Sequence, residues 1–188
     1  MDFTVVDPNT KDAQKVTSDG YAKVSGYTQT PFAHQSITHQ SAFSFYGKHT
    51  VASSATDEIV AFLRNDSSVD LVVDKIIFSS NSVDIKIEIH HGSVYTSGGE
   101  AADITNMNLK SSEPANVFAV HSKTTAITGT VDSTKELQDI RLGTGFRSFV
   151  TDFNGGLVLG RNNNLSILCE GTAGDKVRAT IYFHFVSN

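Results

Sequence analysis

The sequence predicts an all-β fold: an antiparallel β-sandwich of jelly-roll type, preceded by an extended N-terminal arm. Three observations lead there. Val83–His90 alternates strictly, with Val83, Ile85, Ile87 and Ile89 on one face and Asp84, Lys86, Glu88 and His90 on the other. That period of two marks a half-buried strand. The closing segment Val177–Val186 repeats the pattern, setting Val177, Ala179, Ile181, Phe183 and Phe185 inward against Arg178, Thr180, Tyr182 and His184. Finally, turn words written in Gly and Asn, such as Asp152-Phe153-Asn154-Gly155-Gly156 and Gly160-Arg161-Asn162-Asn163-Asn164, separate short apolar runs. Turn signals about every ten residues are the mark of a sandwich. An immunoglobulin-like sandwich is the second choice; it ordinarily wants a core Trp and paired Cys, and this chain has no Trp and one Cys.

Residues 1–40 are rich in Thr, Gln, Ser, Lys and Asp and are punctuated by Pro8 and Pro31. No stretch among them has the periodicity to form a core alone. Scattered Phe3, Val5, Tyr21, Val24, Tyr27 and Phe32 favour an arm that orders against something else, because a purely disordered tail tends to lack aromatics.

Residues 41–188 make up the sandwich domain. Ala42–Tyr46 is a short aromatic strand, and the apolar run Glu58–Leu63 ends in the turn cluster Arg64–Ser68. Val69–Phe78 is a long strand with an irregularity expected near Lys75. Beyond it both faces turn apolar, as in a strand buried between two sheets. In Val83–His90 a one-residue slip would bury three charges, so the register is well specified, and Asp84, Lys86, Glu88 and His90 are expected to face water or a partner. Residues 92–116, rich in Gly, Ser and Asn, read as a long connection of functional or interface use. Val117–Ser122, Ala126–Thr130, Glu136–Leu142 and Phe146–Phe153 are weaker strands. Gly155–Leu159, Leu165–Glu170 and Val177–Val186 complete the set. Short helical turns fit only near Gly98–Asn106 or Asp132–Asp139.

The net charge is −5, with no Lys/Arg cluster. Neither a nucleic acid nor a membrane surface is therefore an expected partner. Met1–Pro8 lacks a basic segment followed by an apolar one, and no apolar run approaches the roughly 18 residues of a membrane helix. The chain is expected to be made in a cytosol and to stay soluble. Cys169, alone in the apolar run Leu165–Cys169, reads as a small buried hydrophobe.

No site is spelled out. His90 and His91 are strand neighbours pointing to opposite faces, so they do not share an ion. His34 and His39 lie in the arm. Asp152 and Asn154 begin like a calcium loop, but Gly156 and Asn163 stand where later ligands are needed, and a β-turn is expected. No Gly-x-Ser-x-Gly is present, and no Lys-Ser/Thr follows Gly98-Gly99. No pair of carboxylates stands in a glycosidase-like setting. The expectation is no enzyme, no cofactor and no metal. Tyr46, Tyr95 and Tyr182 are the candidates for stacking on sugars.

The order of segments resembles a known group. A polar arm (Val6-Asp7-Pro8-Asn9-Thr10, then Ala13–Gly20) precedes Ala42-Phe43-Ser44-Phe45, a run ending in Arg64-Asn65 and the strand Leu71–Phe78. Gly155-Gly156-Leu157-Val158-Leu159-Gly160, Asn164-Leu165-Ser166-Ile167 and Ala179-Thr180-Ile181-Tyr182-Phe183 close the chain. This is similar to small virion structural proteins of tailed bacteriophages, the capsid decoration or cement proteins and components near the tail. The resemblance implies an all-β body, an anchoring arm and a homo-oligomer, commonly a trimer, seated on the major capsid protein or another virion protein. It implies assembly in the host cytoplasm and a final place on the virion, and it carries over no catalytic residue. The arm residues expected to touch the partner are Phe3, Val5, Tyr21, Tyr27 and Phe32. The alternatives are a tail or receptor-binding β-module that recognises surface glycans, and a non-viral lectin-like sandwich.

Overall fold

The computed structural model describes residues 36, 39–54, 56–82, 84–143 and 148–186, and the backbone of 3–6 and 13–16. The chain divides into two units, Met1–Thr30 and Pro31–Asn188. In the first, β1 (Phe3–Val6) pairs antiparallel with β2 (Ala13–Val16), Phe3 opposite Val16 and Val6 opposite Ala13. The side chains of Phe3 and Val5 lie outside the described residues, as do Tyr21, Tyr27, Phe32 and Val83 altogether.

The second unit is an antiparallel β-sandwich. Its strands are β3 (Ala42–Thr50), β4 (Glu58–Asn65), β5 (Leu71–Ser80), β6 (Ile85–His91), β7 (Val94–Gly98), β8 (Glu100–Ala101), β9 (Ile104–Asn106), β10 (Val117–His121), β11 (Ile127–Thr130), β12 (Glu136–Leu142), β13 (Ser148–Leu159), β14 (Asn164–Glu170) and β15 (Lys176–Phe185). One sheet has the order β13-β5-β15-β3-β9. The other runs β12-β6-β14-β4-β10-β8, with β11 pairing both β4 and β7. Among the described residues a 3₁₀ turn, Ser133–Lys135, falls within one of the two stretches expected to hold a helical turn; the other, Gly98–Asn106, holds the end of β7, β8 and β9 instead.

The inward faces meet in one apolar layer. Phe43, Phe45, Leu71, Val73, Ile76, Phe78, Ile181 and Phe183 come from the first sheet, and Leu63, Ile85, Ile87, Ile89, Leu165 and Ile167 from the second. Each fully buried side chain of this size contributes about 1.5–3 kcal/mol. Phe43 stacks on Phe183, with ring centroids 5.7 Å apart. The alternation of β6 and β15 thus fixes which faces form the core.

Two irregularities mark the pairings of β5: the first is the one expected near Lys75, and the second departs from the expectation. Tyr182 pairs with Lys75 and Phe183 with Val73, so Asp74 is left over as a bulge. The bulge shifts the phase of β5, so that Val73 and Ile76 both point inward. The apolar run after Val73 reflects this shift, not burial on two faces; Ile77 is only half-buried. On the other side of β5, along β13, Asp152 faces Lys75 and Leu157 faces Val73. Phe153–Gly156 therefore stands out as a bulge inside one continuous edge strand, where two strands and a turn were expected. Asn154 N donates to Asp152 Oδ1 at 2.9 Å, and Asn154 and Gly155 take positive φ of 49° and 76°.

A further departure concerns residues 92–116. They are not a bare connection: β7, β8 and β9 all lie there, and with β10 and β11 they form an insertion between β6 and β12. Part of it folds against the outer face of the larger sheet. Ile59, Phe62, Val120, Ile127 and Leu168 form a second small core, with Tyr95, Phe118 and Val131 packed against it.

Candidate functional site

The insertion buries polar residues that the alternation of β6 assigned to water or a partner. Glu88 is 8% and His90 2% exposed, on the face opposite Ile87 and Ile89. Likewise His184 is buried, its Nδ1 2.8 Å from Asp74 Oδ2 of the bulge. In each case the residue faces outward from the sandwich, as its position in the strand demands, and other groups cover it.

Glu88 and His90 line a cleft of about 480 Å³, together with Asp57, Glu58 and Ile59 at the start of β4, Leu168 of β14, His49 and Ala52. The insertion supplies Ser122, Ala126–Gly129, Val131 and Ser133. Two glycines let its strands close: a Cβ on Gly98, whose φ is +83°, would lie 2.1 Å from the Ala126 carbonyl oxygen, and one on Gly129 2.6 Å from that of Val94.

Glu58 is a fastener between β4 and the end of β3. Its carboxylate accepts from Ala52 N at 3.0 Å, Ser53 N at 2.7 Å and His49 Nε2 at 2.5 Å. Burial pushes the Glu58 carboxyl up, but the two amides and the His49 ring outweigh it and hold the carboxyl below its ordinary value. His49 Nδ1 lies 3.1 Å from the Ser122 carbonyl, so the ring can only donate there. Ser122 Oγ donates to Ile59 O and accepts from Ile127 N. The hydroxyl is thus held between the backbone of β4 and that of the insertion, where it ties the two together.

The second pair is the more deeply buried of the two. Glu88 Oε2 meets His90 Nε2 at 2.8 Å, Lys86 Nζ contacts Glu88 Oε1, and His90 Nδ1 is 3.4 Å from the Asp132 carbonyl. Burial raises the Glu88 carboxyl, but the bonds from Lys86 and His90 bring it below the ordinary range. Asp57 goes the other way. Burial and the charge of Glu88 raise it, Glu170 adds to that, and Lys86 and His90 act against it. The cleft is thus a place of crowded carboxylates. Directly across from His90 on β12 stands Glu136, and donor atoms of Glu88, His90 and Glu136 lie within 4.8 Å of one another.

Sequence reading missed this cluster because it weighed His90 with its neighbour His91, on the opposite face. The true neighbours are two residues away on β6 and across on β12. A usable signal was present: a strand with polar residues on one face, followed by a connection long enough to fold back over that face.

The sugar-stacking candidates do not converge. Tyr95 packs edge-on against Phe118 and donates to the Gly98 carbonyl at 2.8 Å. Tyr46 and Tyr182 lie on the other sheet, on adjacent strands, Tyr46 opposite Thr180 and Tyr182 opposite Ser44. Lys75 Nζ sits 4.9 Å from the Tyr182 ring centroid. Cys169 is buried, and burial, with the charges of Glu58 and Asp57, pushes its thiol up to about 12. It is an inert core residue, as expected. Comparison with protein-family models, with curated proteins and with solved structures finds no match.

Proposed function

We propose that the chain is a non-enzymatic structural protein of a bacteriophage virion, a decoration or cement protein that binds neighbouring subunits of the major capsid protein. In this reading residues 1–40 are the anchoring arm, residues 41–188 are a jelly-roll body, and the protein works as a homo-oligomer, most simply a trimer.

The strand order supports the jelly-roll. The chain places β3, β5, β13 and β15 in one sheet as β13-β5-β15-β3, and β4, β6, β12 and β14 in the other as β12-β6-β14-β4. Successive strands of this set mostly change sheets, as two interlocked Greek keys require. Jelly-rolls serve in viral capsid and lectin domains alike, so the order by itself does not choose between these. The observation that carries the structural reading is the edge strand β13. Among the described residues it pairs only with β5, and it leaves Phe149, Val150 and Val158 exposed, Val150 by 51%. A long apolar edge is a template for contact with another chain.

The test adds protein to particles that lack it and measures bound copies. The wild type is compared with a variant carrying Ser at Phe3, Val5, Tyr21, Tyr27 and Phe32. Saturable binding of the wild type and loss in the variant support the arm; equal binding of both removes it. A glycan-binding module is the second reading, favoured by Tyr46 and Tyr182 on one outer face. A glycan array with the full chain separates the two readings: specific binding to one glycan class, without particle binding, selects the second.

A further inference from the structure

We propose that Glu88, His90 and Glu136 form a binding site for a divalent transition-metal ion, with Zn²⁺ as the reference ligand. The site is independent of the virion reading.

The backbone fixes two of the three ligands. Glu88 and His90 are two residues apart on β6, so their side chains share a face, and both are buried. Glu136 is the register partner of His90 on β12, which sets the third donor beside the first two. All three donor atoms already lie within 4.8 Å of one another. Ligand atoms around a tetrahedral ion at bond lengths of 2.0–2.1 Å stand about 3.3 Å apart, so a modest closure suffices. Glu136 is the exposed member and can supply it by a change of rotamer.

The surroundings suit a ligating imidazole. His90 Nδ1 faces the Asp132 carbonyl, which leaves Nε2, the atom pointing at Glu88 Oε2, to bind the ion. A ligating histidine characteristically donates its other ring nitrogen in this way. The ion takes the place of any proton that bridges Nε2 and Oε2, and that proton passes to solvent. Lys86 holds the other oxygen of Glu88, so it can stay and orient the carboxylate. The adjoining cleft of about 480 Å³ leaves room for water to complete the coordination. Asp57, on the cleft wall, adds to the negative potential that draws a cation in. One nitrogen and two carboxylates favour Zn²⁺ over Ca²⁺, which takes six to eight oxygens.

The test is isothermal titration of chelator-treated full chain with ZnCl₂ and, separately, CaCl₂ at neutral pH. The expected result is one saturable Zn²⁺ site per chain and at least tenfold weaker Ca²⁺ binding. Glu136→Gln should weaken Zn²⁺ at least tenfold while leaving the metal-free melting temperature unchanged, because this side chain is exposed. His90→Ala should abolish binding. His91→Ala, on the opposite face, should change nothing. No saturable Zn²⁺ binding, undiminished binding in Glu136→Gln, equal Ca²⁺ affinity, or loss of the site with His91→Ala would each overturn the proposal.

Discussion

Replacing Glu58 by Ala removes the acceptor of three donors at once: Ala52 N, Ser53 N and His49 Nε2. The two amides belong to exposed residues, and water can replace the carboxylate there at small cost. The cost falls on His49, which is 5% exposed and keeps its Nε2 donor without a partner. A hydrogen bond to a charged group contributes about 1.5–3 kcal/mol, and leaving a buried donor unsatisfied costs about 1–3 kcal/mol. Glu58 is itself 17% exposed, so the expected loss is about 2–3 kcal/mol, below the sum of these two terms. At roughly 2–4 °C per kcal/mol for a chain of this size, the melting temperature should fall by about 4–12 °C. The pH dependence has a definite sign. The folded-state value of Glu58 lies below its ordinary 4.5, so the contribution is fully present above 4.5 and is lost as pH falls through the folded-state value. Urea unfolding of wild type and Glu58→Ala, followed by circular dichroism from about pH 7 to about pH 3, reads both effects. The gap should be full at neutral pH and should close under acid. A gap below about 0.5 kcal/mol at neutral pH, or one that does not change with pH, would refute the fastening role.

Asn65→Ala should cost about 2–4 kcal/mol in urea unfolding. The fully buried amide donates to the Val69 and Leu159 carbonyls at 2.9 and 2.8 Å and accepts from Ser67 N, tying the β4–β5 turn to the end of β13. Gly98→Ala combines a positive φ with a backbone clash and should cost about 2–4 kcal/mol. Hydrogen exchange should show lost protection in β7 and β11, with β6 and β14 keeping theirs. Cys169 should remain unreactive toward a thiol reagent in the native protein at neutral pH and react fully once it is unfolded in urea.

Much of the sandwich was legible because its signals are local. Ile85, Ile87 and Ile89, and Val177, Ala179, Ile181, Phe183 and Phe185, announce their inward face by alternation alone, and all are buried. What the sequence did not reveal depends on partners far along the chain. His184 is buried against Asp74, 110 residues earlier. Its position on the outward phase of β15 carries no hint of that contact. The irregularity near Lys75 was visible, but which residue bulges is decided by the register of β15 against β5. The Gly-Gly word at Gly155-Gly156 correctly marks positive φ at Gly155. Whether such a word reverses the chain or only swells an edge strand depends on the neighbouring strand continuing past it, as β5 does. The cleft was the least legible feature. Its walls come from β3, β4, β6, β14 and an insertion of weak strands, and its polar residues lie scattered along the chain from His49 to Ser133.

The central claim, attachment to a virion shell, is tested most directly by counting copies of the full chain bound to particles that lack it, across a range of protein concentrations. The account predicts saturation at a fixed number of copies set by the shell's symmetry, with light scattering of the free protein showing a homo-oligomer, most simply a trimer. Binding that never saturates, or no binding beside a clear hit on a glycan array, would contradict it.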